Sequence, residues 1–159
     1  MKRLYKVTQE QRDIVFIDET GFAPTTGRTH GWSFIGQKIY GDVPGNKRPR
    51  TSLIGGYRAK KLIAPMTFGG TCNAAIFNEW LALELLPVLK PGTIIILDNA
   101  TFHKSRLTID LVTMAACKLL FLPPYSPHLN PIEKLWANIK RIWGYADNAS
   151  LNEVIKSCC

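Results

Sequence analysis

Three short apolar runs restrict the folds that this chain can adopt more than any other feature of its sequence. They occupy residues 14–17, 94–97 and 119–122, and most of their side chains are isoleucine, leucine or valine. An uninterrupted run of this length is typical of a central strand that is covered on both faces. The sequence therefore predicts a sheet whose middle strands are buried between helices.

Patterns typical of helices separate these runs. Apolar side chains recur at helical spacing over 73–89, 105–116 and 132–143, and a further short helix is predicted at 151–156. Additional strands are predicted at 32–35 (continuing at 39–40) and 52–57, and the first apolar run lies in a strand predicted over 13–22. Strands come first and then alternate with helices, an order that predicts an α/β fold with a central mixed sheet flanked by helices. We assign residues 1–12 to a polar tail or linker remnant and residues 13–159 to one domain.

The net charge of the chain favours an anionic partner. The sequence holds 20 Lys and Arg residues against 12 Asp and Glu, a formal charge of +8, and nucleic acid is the commonest partner of such a chain. No secretory signal, no membrane-spanning apolar run and no C-x-x-C pair occurs. We expect a cytoplasmic protein with reduced cysteines, access to DNA and no membrane partner.

Two of the apolar runs end at an acidic residue. Asp18, followed by Glu19, comes directly after the first run, and Asp98 comes directly after the second. In α/β folds, ligands bind in the crevice at the carboxyl ends of the strands. If these two strands are neighbours, Asp18 and Asp98 lie side by side at such a crevice. The alternative interpretation of Asp18 is a turn-initiating residue at a strand edge.

A third carboxylate follows a proline-rich loop. Three prolines stiffen residues 123–127, and Asn130 and Pro131 suit the N-cap and the first position of the next helix. Glu133 falls in the first turn of that helix. One face of the helix is apolar and comprises Ile132, Leu135, Trp136, Ile139, Ile142 and Trp143. Glu133 either completes a capping box with Asn130 or is directed by the rigid loop towards the two aspartates.

Three crowded carboxylates predict a metal site. Their mutual repulsion is relieved when cations share them, and hard oxygen ligands suit Mg²⁺ or Mn²⁺. Two such ions would clamp the attacking and leaving oxygens of an in-line phosphoryl displacement. Asp18, Asp98 and Glu133 are therefore the candidate metal ligands and catalytic residues.

A basic segment is the candidate surface for a polynucleotide. Besides Lys38 it contains Lys47, Arg48, Arg50, Arg58, Lys60 and Lys61, with Asp42 as the one acid among them. The functional interpretation is that these side chains contact phosphates. The alternative is an ordinary solvated hairpin face.

The segments that carry the acids resemble a known family. IDE at 17–19, LDNATFH at 97–103 and LPPYSPHLNPIE at 122–133 resemble the catalytic signatures of DDE transposases, specifically the bacterial insertion-sequence branch of the Tc/mariner superfamily. The 34 residues between Asp98 and Glu133 match the spacing in that superfamily, and RTHGW at 28–32 is also similar. The resemblance extends over about residues 13–143.

The resemblance implies an RNase H-like fold and divalent-metal-dependent DNA cleavage and strand transfer at transposon ends. It identifies Asp18, Asp98 and Glu133 as the catalytic triad. Glu19 is expected to lie behind the metal ligands, and Asn99 matches the motif around the second aspartate. His103 either contacts DNA or a metal-bound water, or is a structural hydrogen-bonding residue.

Members of this family normally carry an N-terminal helix-turn-helix module before the catalytic domain. Because Asp18 lies so near the beginning, we expect this chain to be a catalytic half without that module: a fragment, a degraded element or the second frame of a split gene. The resemblance also implies a homodimer, a separate helix-turn-helix subunit, and transposon-end and target DNA as partners near the bacterial nucleoid. The alternatives are a non-catalytic DNA-binding relic that partners a transposase, and a cellular nuclease of the same fold.

Overall fold

A five-stranded sheet forms the centre of the computed structural model, which describes residues 13–22, 34–37, 51–124, 126–145 and 150–158. Its strands are β1 (Ile14–Phe22), β2 (Thr51–Arg58), β3 (Lys61–Gly69), β4 (Ile94–Leu97) and β5 (Lys118–Phe121). They lie in the order β3-β2-β1-β4-β5. The pairs β1–β2 and β2–β3 are antiparallel, whereas β1–β4 and β4–β5 are parallel. The predicted mixed α/β sheet is confirmed.

Four α-helices connect and cover the strands. They are α1 (Ala74–Trp80), α2 (Arg106–Met114), α3 (Ile132–Tyr145) and α4 (Leu151–Lys156). α1 continues through a π-helical turn and a 3₁₀ turn to Val88, so the predicted long helix exists but changes pitch. Further 3₁₀ turns occupy Thr101–Lys104 and Pro127–Leu129. In the described part of the chain, no helix has the length and apolar character needed to cross a membrane.

The core lies on both faces of the sheet. On one face α1 and α2 pack against Val15 and Ile17 of β1. On the other face α3 and α4 pack against Phe22 and Leu53. Because successive strand residues point to opposite faces, Asp18 points towards the α3 side and Glu19 points towards the α1 side. The two adjacent acids of β1 therefore have different surroundings.

Two predictions about the N-terminal half need correction. The strand predicted over 13–22 is present, but Asp18 does not end it: β1 continues to Phe22, because β2 pairs with it from Phe16 to Phe22. Within the strand predicted at 32–35, the described residues Phe34 and Ile35 belong to a turn, in which the Gln37 N–H donates to the Phe34 carbonyl at 3.0 Å. Residues 1–12, 23–33 and 38–50 lie outside the described residues, as do the predictions made for them.

Candidate active site

The sheet order brings the two aspartates together. The parallel pairing of β1 with β4 ends at Phe16 and Ile96. Asp18 and Asp98 each lie two residues further along their own segment. Both residues line one open cleft. The strands that precede Asp18 and Asp98 are therefore neighbours, which is the condition under which the sequence places the two aspartates side by side.

Asp18 is the carboxylate most affected by its surroundings. Burial raises its pKa from 3.8 to about 7, and the negative charges of Glu133 and Glu19 add to this increase. Trp136 opposes the shift because its indole N–H donates to Asp18 Oδ2 at 3.1 Å. A carboxylate in this position is costly to ionise unless a cation lies beside it.

Trp136 is a site residue that sequence analysis assigned only to the apolar helix face. Its side chain is buried in the core between α3 and the sheet, while its ring nitrogen reaches the cleft. The available signal was chemical, because a buried indole N–H requires an acceptor and the nearest functional residue, Glu133, precedes it by one helical turn.

Asp98 is held through a single carboxylate oxygen. Oδ1 accepts from His103 Nδ1 at 2.7 Å and from the Ala100 N–H at 3.0 Å. The hydrogen bond from His103 is the main reason that the pKa of Asp98 lies below its ordinary value, and nearby Lys104 contributes. The side chain is half exposed, and no donor among the described residues contacts Oδ2. One oxygen is thus anchored while the other faces the cleft.

Glu133 is exposed and stands on the rim of the same cleft, in the first turn of α3. The capping box expected with Asn130 is absent. Asn130 is buried, its Nδ2 donates to the Ile17 carbonyl at 3.5 Å, and its Oδ1 has no hydrogen-bond partner among the described residues. The prediction that Asn130 caps the helix with its side chain is wrong, because that side chain turns inward to β1. α3 begins instead with a backbone bond from the Glu133 N–H to the Asn130 carbonyl at 3.2 Å.

The cleft itself has a volume of about 410 Å³ and is open to solvent. Its walls are formed by Asp18, Asp98, Asn99, Ala100, Leu122, Pro123, Pro124, Ser126, Asn130 and Glu133. Within the described ranges, no three acidic, histidine or cysteine side chains lie close enough to form a ready-made metal-binding group. The cleft therefore gathers the three predicted acids in an open arrangement.

Glu19 and His103 lie behind the cleft and do not line it. His103 is 1% exposed and hydrogen-bonds to Asp98, which favours the structural hydrogen-bonding alternative over the alternative of contact with DNA. Its Nε2 faces Glu19 Oε2 at 3.7 Å. The pKa of Glu19 is raised, mainly by burial. Asn99 does line the cleft, next to Asp98.

The predicted basic surface is separated from the acids wherever the structure describes it. Asp18 pairs with Gly55, and Arg58 lies three residues further along β2, about 10 Å towards the opposite end of the sheet. There Arg58 Nη1 contacts Asp13 Oδ2 at 3.4 Å. Lys60 follows in the turn to β3, Lys61 is the first residue of β3, and Lys47, Arg48 and Arg50 lie outside the described residues.

Two exposed lysines that sequence analysis did not select are placed beside the acids. Lys104 lowers the pKa of Asp98, and Lys134 directly follows Glu133 at the start of α3. Their positions next to His103 and Glu133 in the sequence were the available signal.

Comparison with known proteins identifies the family. The family profile described as DDE superfamily endonuclease matches residues 13–155. The chain belongs to this family. The Tc3 transposase of Caenorhabditis elegans is 35% identical over 98 residues, which cover 59% of this chain and 30% of that protein. The uncharacterized protein y4pE/y4sA of Sinorhizobium fredii is 33% identical over 91 residues, which cover 55% of this chain and 64% of that protein.

Solved structures confirm the RNase H-like fold that was predicted. The Mos1 mariner paired-end complex with Mg matches at a TM-score of 0.76 and 22% identity, covering 98% of this chain and 50% of that chain. The catalytic domain of Mos1 matches at 0.63 and 20% identity, covering 98% and 73%. The match to the Tc3 transposase supports the resemblance to Tc/mariner transposases, whereas the bacterial insertion-sequence branch stays a prediction.

Proposed function

We propose that this chain is a DDE transposase catalytic domain that cleaves DNA at transposon ends and joins the freed strand to target DNA. The observation that carries the proposal is the convergence of Asp18, Asp98 and Glu133 on one open cleft from three separate elements. β1 and β4 present the aspartates side by side, and the proline-rich loop leads to the helix that bears the glutamate. Family membership supports the same reaction class.

The residues of the cleft fit a hard divalent cation. The donors are carboxylate oxygens, and Asp98 has one oxygen anchored and the other facing the cleft. The pKa of Asp18 is raised first by burial and then by the charges of Glu133 and Glu19, and a cation beside the carboxylate would oppose each of these effects. We assign Asp18, Asp98 and Glu133 as the residues that would hold Mg²⁺ or Mn²⁺, with two ions as the expected number. When bound, these ions would supply the activation of the attacking hydroxyl and the neutralisation of charge on the phosphate.

The protein itself contributes orientation. Trp136 and His103 hold the two aspartates by direct hydrogen bonds, and both donors are buried in the core. Glu133 is exposed, so its side chain turns towards the aspartates at low cost. Lys104, whose charge lowers the pKa of Asp98, is suited to a phosphate next to the bond that is broken. A homodimer, a separate helix-turn-helix subunit and a nucleoid location stay predictions from the resemblance.

Nicking of supercoiled plasmid in Mn²⁺ or Mg²⁺ tests the proposal. Asp98→Asn and Glu133→Gln should reduce nicking to the rate seen without metal, with the circular dichroism spectrum unchanged. Asp110→Asn and Glu79→Gln are matched controls, because neither residue lines the cleft and neither should alter the rate. Undiminished nicking by Asp98→Asn would refute the assignment of the site.

The same assay separates the alternatives. A wild-type chain that binds DNA but never nicks it in Mn²⁺ would favour the non-catalytic relic. Nicking without any strand-transfer joints, when a pre-cleaved transposon end is supplied, would favour a cellular nuclease of the same fold. Joints that require Asp98 and Glu133 are the result that we expect.

A further inference from the structure

Unpaired polar atoms in the interior cluster around the cleft. Among the described residues, the buried side-chain atoms without a hydrogen-bond partner are Glu19 Oε2, His103 Nε2 and Asn130 Oδ1. Leaving such an atom unpaired costs about 1–3 kcal/mol, and native proteins contain few of them. All three belong to residues that touch, or lie directly behind, the predicted metal ligands. Two of them, on Glu19 and His103, face each other.

Ring packing holds His103 in place in addition to its hydrogen bond with Asp98. Its ring lies between two phenylalanines, with centroid distances of 4.4 Å to Phe77 and 4.1 Å to Phe102. The ring is 1% exposed, so neither DNA nor a substrate can reach it. Its two nitrogens therefore point in directions that the core determines, one towards Asp98 and the other towards Glu19.

We propose that His103 and Glu19 form a positioning pair behind Asp98. His103 Nδ1–H fixes Oδ1 of Asp98 and thereby turns Oδ2 into the cleft, while Glu19 holds the far nitrogen of the ring. Asp98 accepts as a carboxylate, so the ring nitrogen facing it carries the hydrogen. The inference rests on the proposed function, since the orientation of Oδ2 matters only if a metal ion binds there.

The side chains of His103 and Glu19 lie just beyond hydrogen-bonding distance of each other. Nε2 and Oε2 are 3.7 Å apart, slightly beyond hydrogen-bond range, and neither atom has another partner among the described residues. A small rotation of the Glu19 side chain, with a proton shared between Oε2 and Nε2, completes a hydrogen-bonded chain from Glu19 through His103 to Asp98. Carboxylate–histidine chains of this kind orient metal ligands in other proteins, and their disruption typically weakens metal binding about 10- to 100-fold.

Two substitutions separate positioning from simple packing. His103→Asn places an amide where Nδ1 stands and can still donate to Asp98, whereas His103→Gln places its amide near Nε2 and cannot. Mn²⁺ affinity, measured as the rise in unfolding temperature with Mn²⁺, should fall about 10- to 100-fold in His103→Gln and at most about threefold in His103→Asn. Thr108→Val is the matched control, because Thr108 is equally buried and loses hydrogen bonds away from the cleft.

Equal weakening in both His103 variants, or the same weakening in Thr108→Val, would overturn the proposal in favour of a purely structural histidine. Nicking rates should follow the order of the Mn²⁺ affinities.

Nuclear magnetic resonance of the ring nitrogens tests the pair in proteins that keep His103. The metal-free wild type should show His103 protonated at Nδ1, and Glu19→Ala should shift the Nε2 resonance without moving that of Nδ1. An unprotonated Nδ1 would overturn the proposed hydrogen bond from His103 to Asp98. An Nε2 resonance that does not change in Glu19→Ala would overturn the proposed contact between His103 and Glu19. Absence of any Mn²⁺ stabilisation in the wild type would contradict the proposed function, and the ring-nitrogen result would still decide where His103 donates.

Discussion

Replacing Asp18 with Asn should stabilise the metal-free protein at alkaline pH while abolishing metal-dependent nicking. The buried carboxylate of Asp18 faces the charges of Glu133 and Glu19. The amide of Asn carries no charge, and its oxygen can still accept from the indole N–H of Trp136. The substitution thus removes an unfavourable charge but keeps the local hydrogen bond.

The magnitude follows from the pKa of Asp18, which is about 7 in the folded protein against an ordinary value of 3.8. At about 1.36 kcal/mol per unit, this shift sets an upper limit of about 4 kcal/mol. Water in the open cleft screens the charges, so we expect a gain of about 1–3 kcal/mol.

The pH dependence has a definite sign. Folded Asp18 keeps its proton where unfolded Asp18 has lost it, so wild-type stability falls as the pH rises from about 4 to about 7 and is constant beyond.

Urea unfolding in EDTA measures this difference directly. The free energy of unfolding of Asp18→Asn minus that of the wild type should be near zero at about pH 4 and reach its full value at about pH 8. Added Mg²⁺ should stabilise the wild type at about pH 8, because the ion neutralises the ionised carboxylate of Asp18, and should not stabilise the variant. A difference that does not change with pH would refute the reasoning about Asp18.

Two further substitutions test the sheet and the loop. Gly56→Ala should destabilise the protein by about 1–3 kcal/mol in thermal unfolding, because the new Cβ would lie 3.0 Å from side-chain atoms of Val15 and Ile63. Gly69→Ala, with open space around it, should change stability by less than about 0.5 kcal/mol, and an equal loss in both would contradict the packing argument. Pro131→Gly should weaken Mn²⁺ binding while the metal-free protein keeps its unfolding temperature, since the substitution loosens the turn that leads to Glu133. Unchanged Mn²⁺ affinity would count against a role of Pro131 in directing Glu133.

Local patterns predicted most of the elements. The three apolar runs became β1, β4 and β5, and the helix predicted at 151–156 has those bounds in the structure. Periodicity succeeds here because burial on one or both faces imposes a repeat that any reader of the sequence can detect. The apolar run alone placed Asp18 at the end of its strand, whereas β1 continues through polar residues that the pairing with β2 keeps extended.

The hydrogen bonds behind the acids could not be predicted in the same way. Asn is a residue type that often caps helices, yet the Asn130 side chain donates instead to the Ile17 carbonyl, which is remote in sequence. Arg58 looked like part of a phosphate-binding surface, yet the antiparallel direction of β2 places it at the other end of the sheet from Asp18. Each outcome depends on a partner that sequence spacing does not reveal.

The sequence by itself singled out three carboxylates as candidate metal ligands: Asp18, Asp98 and Glu133 stand out because acids directly after buried apolar runs, or after a rigid proline loop, require a reason. Only the tertiary structure decided how they are held. The β1–β4 register brings the aspartates together, and the packing of α3 and α1 supplies Trp136 and His103 as their donors. The physical reason is range, since strand and helix patterns arise from neighbours in the chain, whereas strand order and buried hydrogen bonds arise from contacts across the whole core.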